Sequence, residues 1–268
     1  MSDASFVGEI PANYERHLGP IIFEDFAAKT AERVAAFSPV QLLETAAGTG
    51  IVTRELRNRL PAGSNLTATD LSGAMLEVAR AKFEPTSQVK FQTADATSLP
   101  FADSTFDGAV CQFGVMFYPD RKQSDREVYR VLIPGGHYVF SVWDSHDHNA
   151  FGRIAHEVAV RLFPSDPPSF YQIPFSCHQI DPIKEALITT GFVDIKIEVV
   201  GIWKDVPDVS ALALGLVFGN PMADQIRARG ADPKKMLTAL TEALSREIST
   251  SGGQARLQMI VFSARKPL

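Results

Sequence analysis

Val40-Gln41-Leu42-Leu43-Glu44-Thr45-Ala46-Ala47-Gly48-Thr49-Gly50 is the stretch on which the fold turns. Val40, Leu42 and Leu43 form a short apolar run of the kind a buried parallel strand has. Glu44 ends the run, and only small residues follow as far as Gly50. Ile51, Leu56 and Leu60 then recur with helical spacing until Pro61 stops them. A strand, a tight small-residue turn and a helix let a ligand approach backbone at the carboxyl end of the strand. An ordinary tight connection has the same look, so the surrounding chain decides the meaning.

Upstream, Met1 to Ala12 reads as a loose lead-in. Asn13 is placed to cap a first helix through Tyr14, Leu18 and Ile22. Gly19-Pro20 should break it, leaving a second amphipathic piece, Phe23 to Ala36, with Phe26, Thr30, Val34 and Phe37 on one side. Downstream, strands are predicted at 65–70, 89–95, 106–113 and 137–143. Helices start at Ser72 and run over 124–132, the latter closed by a Pro134-Gly135-Gly136 turn. This alternation indicates a parallel sheet with right-handed crossovers. The rhythm lapses over 144–177, which holds one helix, 151–162, and a proline-rich turn. Such an excursion from a sheet edge reads as a lid or pocket wall. A helix over 181–190 ending at Gly191, a strand over 193–202, helices over 209–218 and 233–249, and a last strand over 255–264 complete the chain. Leu257, Met259, Val261 and Ser263 are expected on one face of that strand.

The 268 residues suit one elaborated α/β domain. Net charge is -5 with no long basic run, so a phosphate-tracking nucleic-acid surface is not indicated. Cys111 and Cys177 lie far apart with no metal spacing and read as reduced thiols. Met1 to Gly8 lacks the pattern of a signal peptide, and no apolar run reaches bilayer length. A soluble, cytoplasmic protein is expected.

Glu44, Asp70 and Asp95 end the first three strands, and strand ends of such a sheet converge on one ligand-binding edge. Asp70 follows the small-residue turn at about the twenty-residue distance at which an acid grips ribose hydroxyls. A dinucleotide site would want a third glycine near Thr53 and a phosphate-binding cation; neither is present. The tail, with a helical insertion before the final strand, suggests a closing antiparallel hairpin.

The chain resembles the class I S-adenosylmethionine-dependent methyltransferases, specifically the small-molecule group of the ubiquinone and menaquinone biosynthesis C-methyltransferases. The resemblance rests on 42–50, Asp70-Leu71-Ser72 with Met75-Leu76, and Ala94-Asp95-Ala96 with Leu99-Pro100-Phe101. Phe106-Asp107 with Gln112-Phe113, Phe117-Tyr118-Pro119-Asp120 and 127–136 complete the set, in the family's order and spacing. It implies a Rossmann-like, doubly wound, seven-stranded α/β sheet, mostly parallel with a final antiparallel strand, plus helical lids. One methyltransferase domain over 1–268 is expected: an N-terminal helical lid (1–38), a cofactor-binding core (39–144), a lid insertion (145–178), and the end of the core (179–268) with a helical insertion at about 206–253. It further implies S-adenosylmethionine as cofactor and a small, partly apolar methyl acceptor.

By the same resemblance, Ala46, Ala47, Gly48, Thr49 and Gly50 would pass under the methionine part and ribose. Glu44 would orient that turn or the amino group. Asp70 would take the ribose hydroxyls, Leu71 and Met75 would pack the adenine, and Asp95 would accept from its amino group beside Ala96. Gln112 and Phe113 would flank the methyl end, with Phe117 nearby, and Tyr14 and Phe23 would close the site from the N-terminal helix. The first glycine of the family's turn is Ala46 here. Non-catalytic binding of the same cofactor, and a nicotinamide-dependent oxidoreductase, are the alternative readings.

Methyl transfer from a sulfonium is an in-line displacement, so alignment and water exclusion are the main demands. A base is needed only for an acceptor that keeps its proton. Tyr14, His17 and His146 are the leading candidates. Asp144-Ser145-His146-Asp147-His148 is too closely packed for a metal set and reads as a polar loop; no metal is expected. Oligomeric state is not readable from the sequence.

Overall fold

A computed structural model describes residues 6–268. The chain opens with α1 (Ile10–Asn13), a π-helical stretch (Tyr14–Phe23) and α2 (Glu24–Ala35), which follow one another without a gap. The expected break at Gly19-Pro20 therefore does not occur. Proline has no N–H and its ring crowds the preceding turn. The wider π turn absorbs both problems, and Glu24 N–H reaches back to the Gly19 carbonyl. Asn13 is not a side-chain cap; the helix begins earlier, with Pro11 in its first turn. Residues 1–5 of the expected lead-in lie outside the described residues.

Seven strands follow: β1 (Gln41–Glu44), β2 (Asn65–Asp70), β3 (Val89–Thr93), β4 (Phe106–Gln112), β5 (Leu132–Trp143), β6 (Val193–Asp205) and β7 (Gln254–Arg265). They form one sheet in the order β3-β2-β1-β4-β5-β7-β6. The pairs among β1 to β5 are parallel, while β7 lies antiparallel between β5 and β6. This is the doubly wound sheet with an antiparallel last strand that the sequence implied. The helices are α3 (Ile51–Arg59), α4 (Gly73–Arg80), α5 (Arg121–Val131), α6 (Ala150–Leu162), α7 (Ile180–Thr190), α8 (Val209–Phe218), α9 (Met222–Ala228) and α10 (Pro233–Thr250).

Local signals set the boundaries. Ser72 caps α4 by accepting from Met75 N–H, and Asp208 caps α8 through Ala211 N–H. Helix α5 starts at Arg121, earlier than expected, because Asp120 caps it through Gln123 N–H. Gly191 ends α7 in the left-handed conformation that glycine adopts without strain. Residues 134–136 continue β5 irregularly, with the register shifting between Phe106 and Gly108 of β4.

Strand β7 corrects the one-faced expectation. Leu257, Met259 and Val261 are buried, but so are Gln258, Ile260 and Phe262 on the other face. A strand inside the sheet is covered on both sides. On β6, Val199 is exposed although Ile195 and Ile197 before it are partly buried.

The strand order reverses beside β1, so crossovers to either side lie on opposite faces and a crevice opens at the carboxyl ends of β1 and β4. The π-helical stretch packs on α8, α8 on α10 and α10 on α6, while α2 packs on α3.

Candidate functional site

At the end of β1 the backbone alternates into the left-handed region, with φ of 51° at Ala46, 56° at Gly48 and 79° at Gly50. Gly50 is needed twice: for its φ, and because a Cβ there would stand 2.9 Å from that of Ala79 on α4. The turn is tied to both flanking strands. Thr45 N–H donates to the Val110 carbonyl and Ala47 N–H to that of Thr69, each at 2.9 Å. Tyr118, from the loop after β4, donates to Thr45 Oγ1 at 3.1 Å.

Asp70, at the end of β2, braces the turn. One carboxylate oxygen accepts from Gly48 N–H at 2.8 Å and the other from Ser72 N–H at 2.8 Å. Burial still pushes its pKa upward, because desolvation outweighs these amides. Glu44 is 2% exposed, and its Oε2 has no protein partner. Burial raises its pKa to about 8. The hydroxyl of Thr49 on the same turn is also buried without a partner, and that of Thr53 on α3 lies toward Glu44 and offsets part of the rise. Orphaned buried oxygens of this kind call for a ligand donor or water.

The opposite wall comes from β4 and the N-terminal helices. Thr30 on α2 donates to Gln112 Oε1 at 2.7 Å. That bond fixes the amide, with Nε2 facing the Phe23 carbonyl at 3.5 Å. Phe113 has φ of 53°, a strained conformation for a bulky residue, and its ring stacks on Trp143 at 4.0 Å with 3° between planes. Tyr14 stacks on Phe23 at 4.8 Å. Burial, reinforced by the Asp70 charge, holds the Tyr14 phenol protonated well above its ordinary range.

A cleft of about 30 Å³ is thus lined by Tyr14, Phe23, Glu44, Ala46, Ala47, Gly48, Thr49 and Gln112. Asp70 reaches it through Gly48, and Met75, buried, lies within contact distance of Gly48. Leu71 is 73% exposed on the same sheet edge. Asp95 lies just past β3, outside the strand in which it was expected, and its Oδ1 accepts from Thr97 N–H and Oγ1. Ala96 beside it is buried. Phe117 meets Phe6, 6.1 Å away, edge-on.

Two of the three proposed bases stand elsewhere. His17 lies against α8, where a Cβ on Gly215 would meet its own Cβ at 2.8 Å. His146 faces the Tyr171 carbonyl at 3.2 Å and packs on Phe175 at 4.4 Å, away from the turn after β1. Helical periodicity could not tell which side of the first helix meets the cleft, because the π turn rotates it. Among the described residues no group of histidines, cysteines or acids could hold a metal ion. Thr30 and Tyr118 were missed as site residues. The signal for Thr30 was a hydroxyl in the apolar stripe of α2.

The sheet order and this crevice define the class I methyltransferase fold. Residues 43–140 match the family described as a methyltransferase domain. A ubiquinone/menaquinone biosynthesis C-methyltransferase of Geotalea daltonii is 33% identical over 127 residues, covering 46% of this chain and 54% of the relative. A demethylmenaquinone methyltransferase of Thermus thermophilus is 35% identical over 128 residues, covering 47% and 58%. The matches therefore span little more than half the length of these relatives. Among solved structures, Haemonchus contortus phosphoethanolamine N-methyltransferase 2 in complex with S-adenosyl-L-methionine aligns with a TM-score of 0.62 at 19% identity, over 99% of this chain and 59% of that one. No helix among the described residues is long and apolar enough to cross a membrane.

Proposed function

We propose that the protein binds S-adenosylmethionine in this cleft and transfers its methyl group to a small, partly apolar molecule. The observation that carries the reading is the pairing of Asp70, locked by Gly48 and Ser72, with the orphaned Glu44 oxygen across one turn. The residues fit the cofactor: Glu44 lacks a donor, and an amino group supplies one. The homology of residues 43–140 supports the same reading.

When bound, the cofactor supplies a methyl group already activated by the positive sulfur. Asp70 accepts from the ribose hydroxyls, and Glu44 accepts from the amino group. The Ala46–Gly50 backbone keeps the approach clear of side chains. Met75 and Leu71 flank the adenine, with Asp95 and Ala96 at its edge. Gln112, Phe113, Phe117, Tyr14 and Phe23 surround the reacting end and exclude water. Tyr14 keeps its proton, so we assign it to hydrogen-bond donation or packing, not to base catalysis. His17 and His146 lie outside the cleft and we give them no base role. We divide the chain as its lids suggest, with 1–38, 145–178 and 206–253 covering a core of 39–144 and the closing hairpin.

Calorimetry tests the binding half: adenosylmethionine and adenosylhomocysteine should bind and NAD should not. Labelled adenosylmethionine mixed with a cell extract tests the catalytic half. A labelled small molecule is expected; cofactor binding without transfer would leave only a binding module.

A further inference from the structure

A second hollow lies apart from the cofactor cleft, over the carboxyl ends of β5 and β6. It measures about 160 Å³ and is enclosed by α6, α8, α10 and the hairpin of β6 and β7. Phe151, Ile154, Leu244 and Ile248 line it and are all buried. Trp203, 58% exposed, forms one wall. His148 forms another, and its Nδ1 has no protein partner. Arg153 and Glu247 approach each other to 3.6 Å at the rim, so that pair offers no net charge to select an ion.

The walls are held in place. Asn149, fully buried, donates to the carbonyls of Asp144 and Gln258, both at 3.0 Å, and its Oδ1 accepts from Gln258 N–H at 2.9 Å. This clamp fixes the His146–His148 turn onto β7 and explains the polar run better than metal binding does. A hollow of about 150 Å³ with apolar walls takes up benzene, so this one has room for a single or small fused ring. Exposed tryptophan offers such a ring a face to stack on.

We propose that this slot binds a neutral ring compound of benzene to indole size, stacked on Trp203 and donating one O–H or N–H to His148. A row of aromatic rings runs from this slot to Phe23 of the cofactor cleft. Phe151 packs edge-on to Trp143 at 5.3 Å, and Trp143 carries the Phe113 stack. The proposal concerns binding alone and does not depend on methyl transfer.

Fluorine NMR of 5-fluoroindole titrated with the full chain tests it. Saturable binding with Kd on the order of 0.1–1 mM is expected for so few atoms. Trp203→Ala should weaken it about tenfold, the loss typical of an aromatic stacking contact, and Leu244→Trp should abolish it by filling the slot. Both variants should keep their binding of adenosylhomocysteine, which reports an intact fold. If Leu244→Trp does not fold, Trp203→Ala, at an exposed position, gives the answer alone. Absence of saturable binding, indifference to Trp203→Ala, or displacement by adenosylhomocysteine would each overturn the assignment.

Discussion

A Cβ placed on Gly114 would stand 2.4 Å from the Cβ of Ala46. The methyl group at the first turn position therefore occupies space that the loop after β4 leaves open by having glycine there. Ala46 also keeps a φ of 51°, which costs a non-glycine residue roughly 1 kcal/mol. An alanine in place of glycine at the first turn position is thus accommodated locally, against Gly114.

Gly114→Ala should destabilise the protein by about 1–3 kcal/mol through overpacking. Ala46→Gly in the same chain should restore only part of this, since Cys111 Sγ would also lie 2.6 Å from the new Cβ. Urea unfolding of the two singles and the double variant measures the coupling. Strict additivity would show that the two positions do not meet.

Glu44 predicts a pH dependence. Its pKa is raised from 4.5 to about 8 in the fold, so the folded state holds more protons between those values. Stability should therefore fall as pH rises through this window, with a slope of up to about 1.4 kcal/mol per pH unit from this group. Glu44→Gln should flatten that slope. Cofactor binding to the native protein near pH 7 should release a proton, seen as buffer-dependent heat. Equal heats in buffers of different ionisation enthalpy would contradict the pairing of Glu44 with an amino group.

Asp70→Ala removes the proposed acceptor for the ribose and the brace on Gly48 together. Affinity for adenosylhomocysteine should fall by about 1–3 kcal/mol, the cost of leaving buried partners unpaired. Calorimetry reads this directly, and unchanged affinity would remove Asp70 from the site.

Thr30 acts through Gln112. Thr30→Val should lower label transfer three- to tenfold, corresponding to about 0.5–1.5 kcal/mol for one hydrogen bond, and leave adenosylhomocysteine affinity nearly unchanged. Thr30→Ser should keep most of the activity. Equal transfer by Thr30→Val and wild type would make the hydroxyl merely structural.

Four ion pairs latch the N-terminal helices: Arg33–Glu198 at 2.7 Å and Asp25–Lys204 at 2.9 Å tie α2 to β6, and two more face α3 and the end of α4. Glu15 meets Lys82 in the loop after α4, and Glu24 meets Arg54 on α3 at 3.0 Å. Lys82→Met should speed amide exchange across residues 10–35 and accelerate release of adenosylhomocysteine. Exchange confined to the terminus would show that the latch does not hold the lid.

Much of this architecture was legible because burial writes itself into sequence. Leu42, Leu43, Ala109 and Val110 are apolar runs that only a covered parallel strand explains. Asp70 stood at the predicted strand end, beside a turn whose glycines have the positive φ they were chosen for. What stayed hidden depended on tertiary geometry. The π turn through Pro20 has no periodic signature, so His17 and Tyr14 could not be told apart by facing. Both faces of β7 are buried, and α6, far from it in the chain, and α10, separated from it by a turn, pack against it, a tertiary fact that no local window contains. Gln112 could be read as a site residue, but its partner Thr30 lies three strands and two helices upstream.

The hairpin of β6 and β7 stays in register to its tip, where Asp205 pairs with Gln254. Residues 206–253 leave and rejoin the sheet at that single rung. All of α8, α9 and α10 therefore lies beyond one point of the sheet, where α8 and α10 are held by packing on the π-helical stretch and α6 respectively. Exchanging this stretch for another segment leaves every strand pairing intact, so these helices can be replaced while the turn at Glu44 and its brace at Asp70 stay as they are.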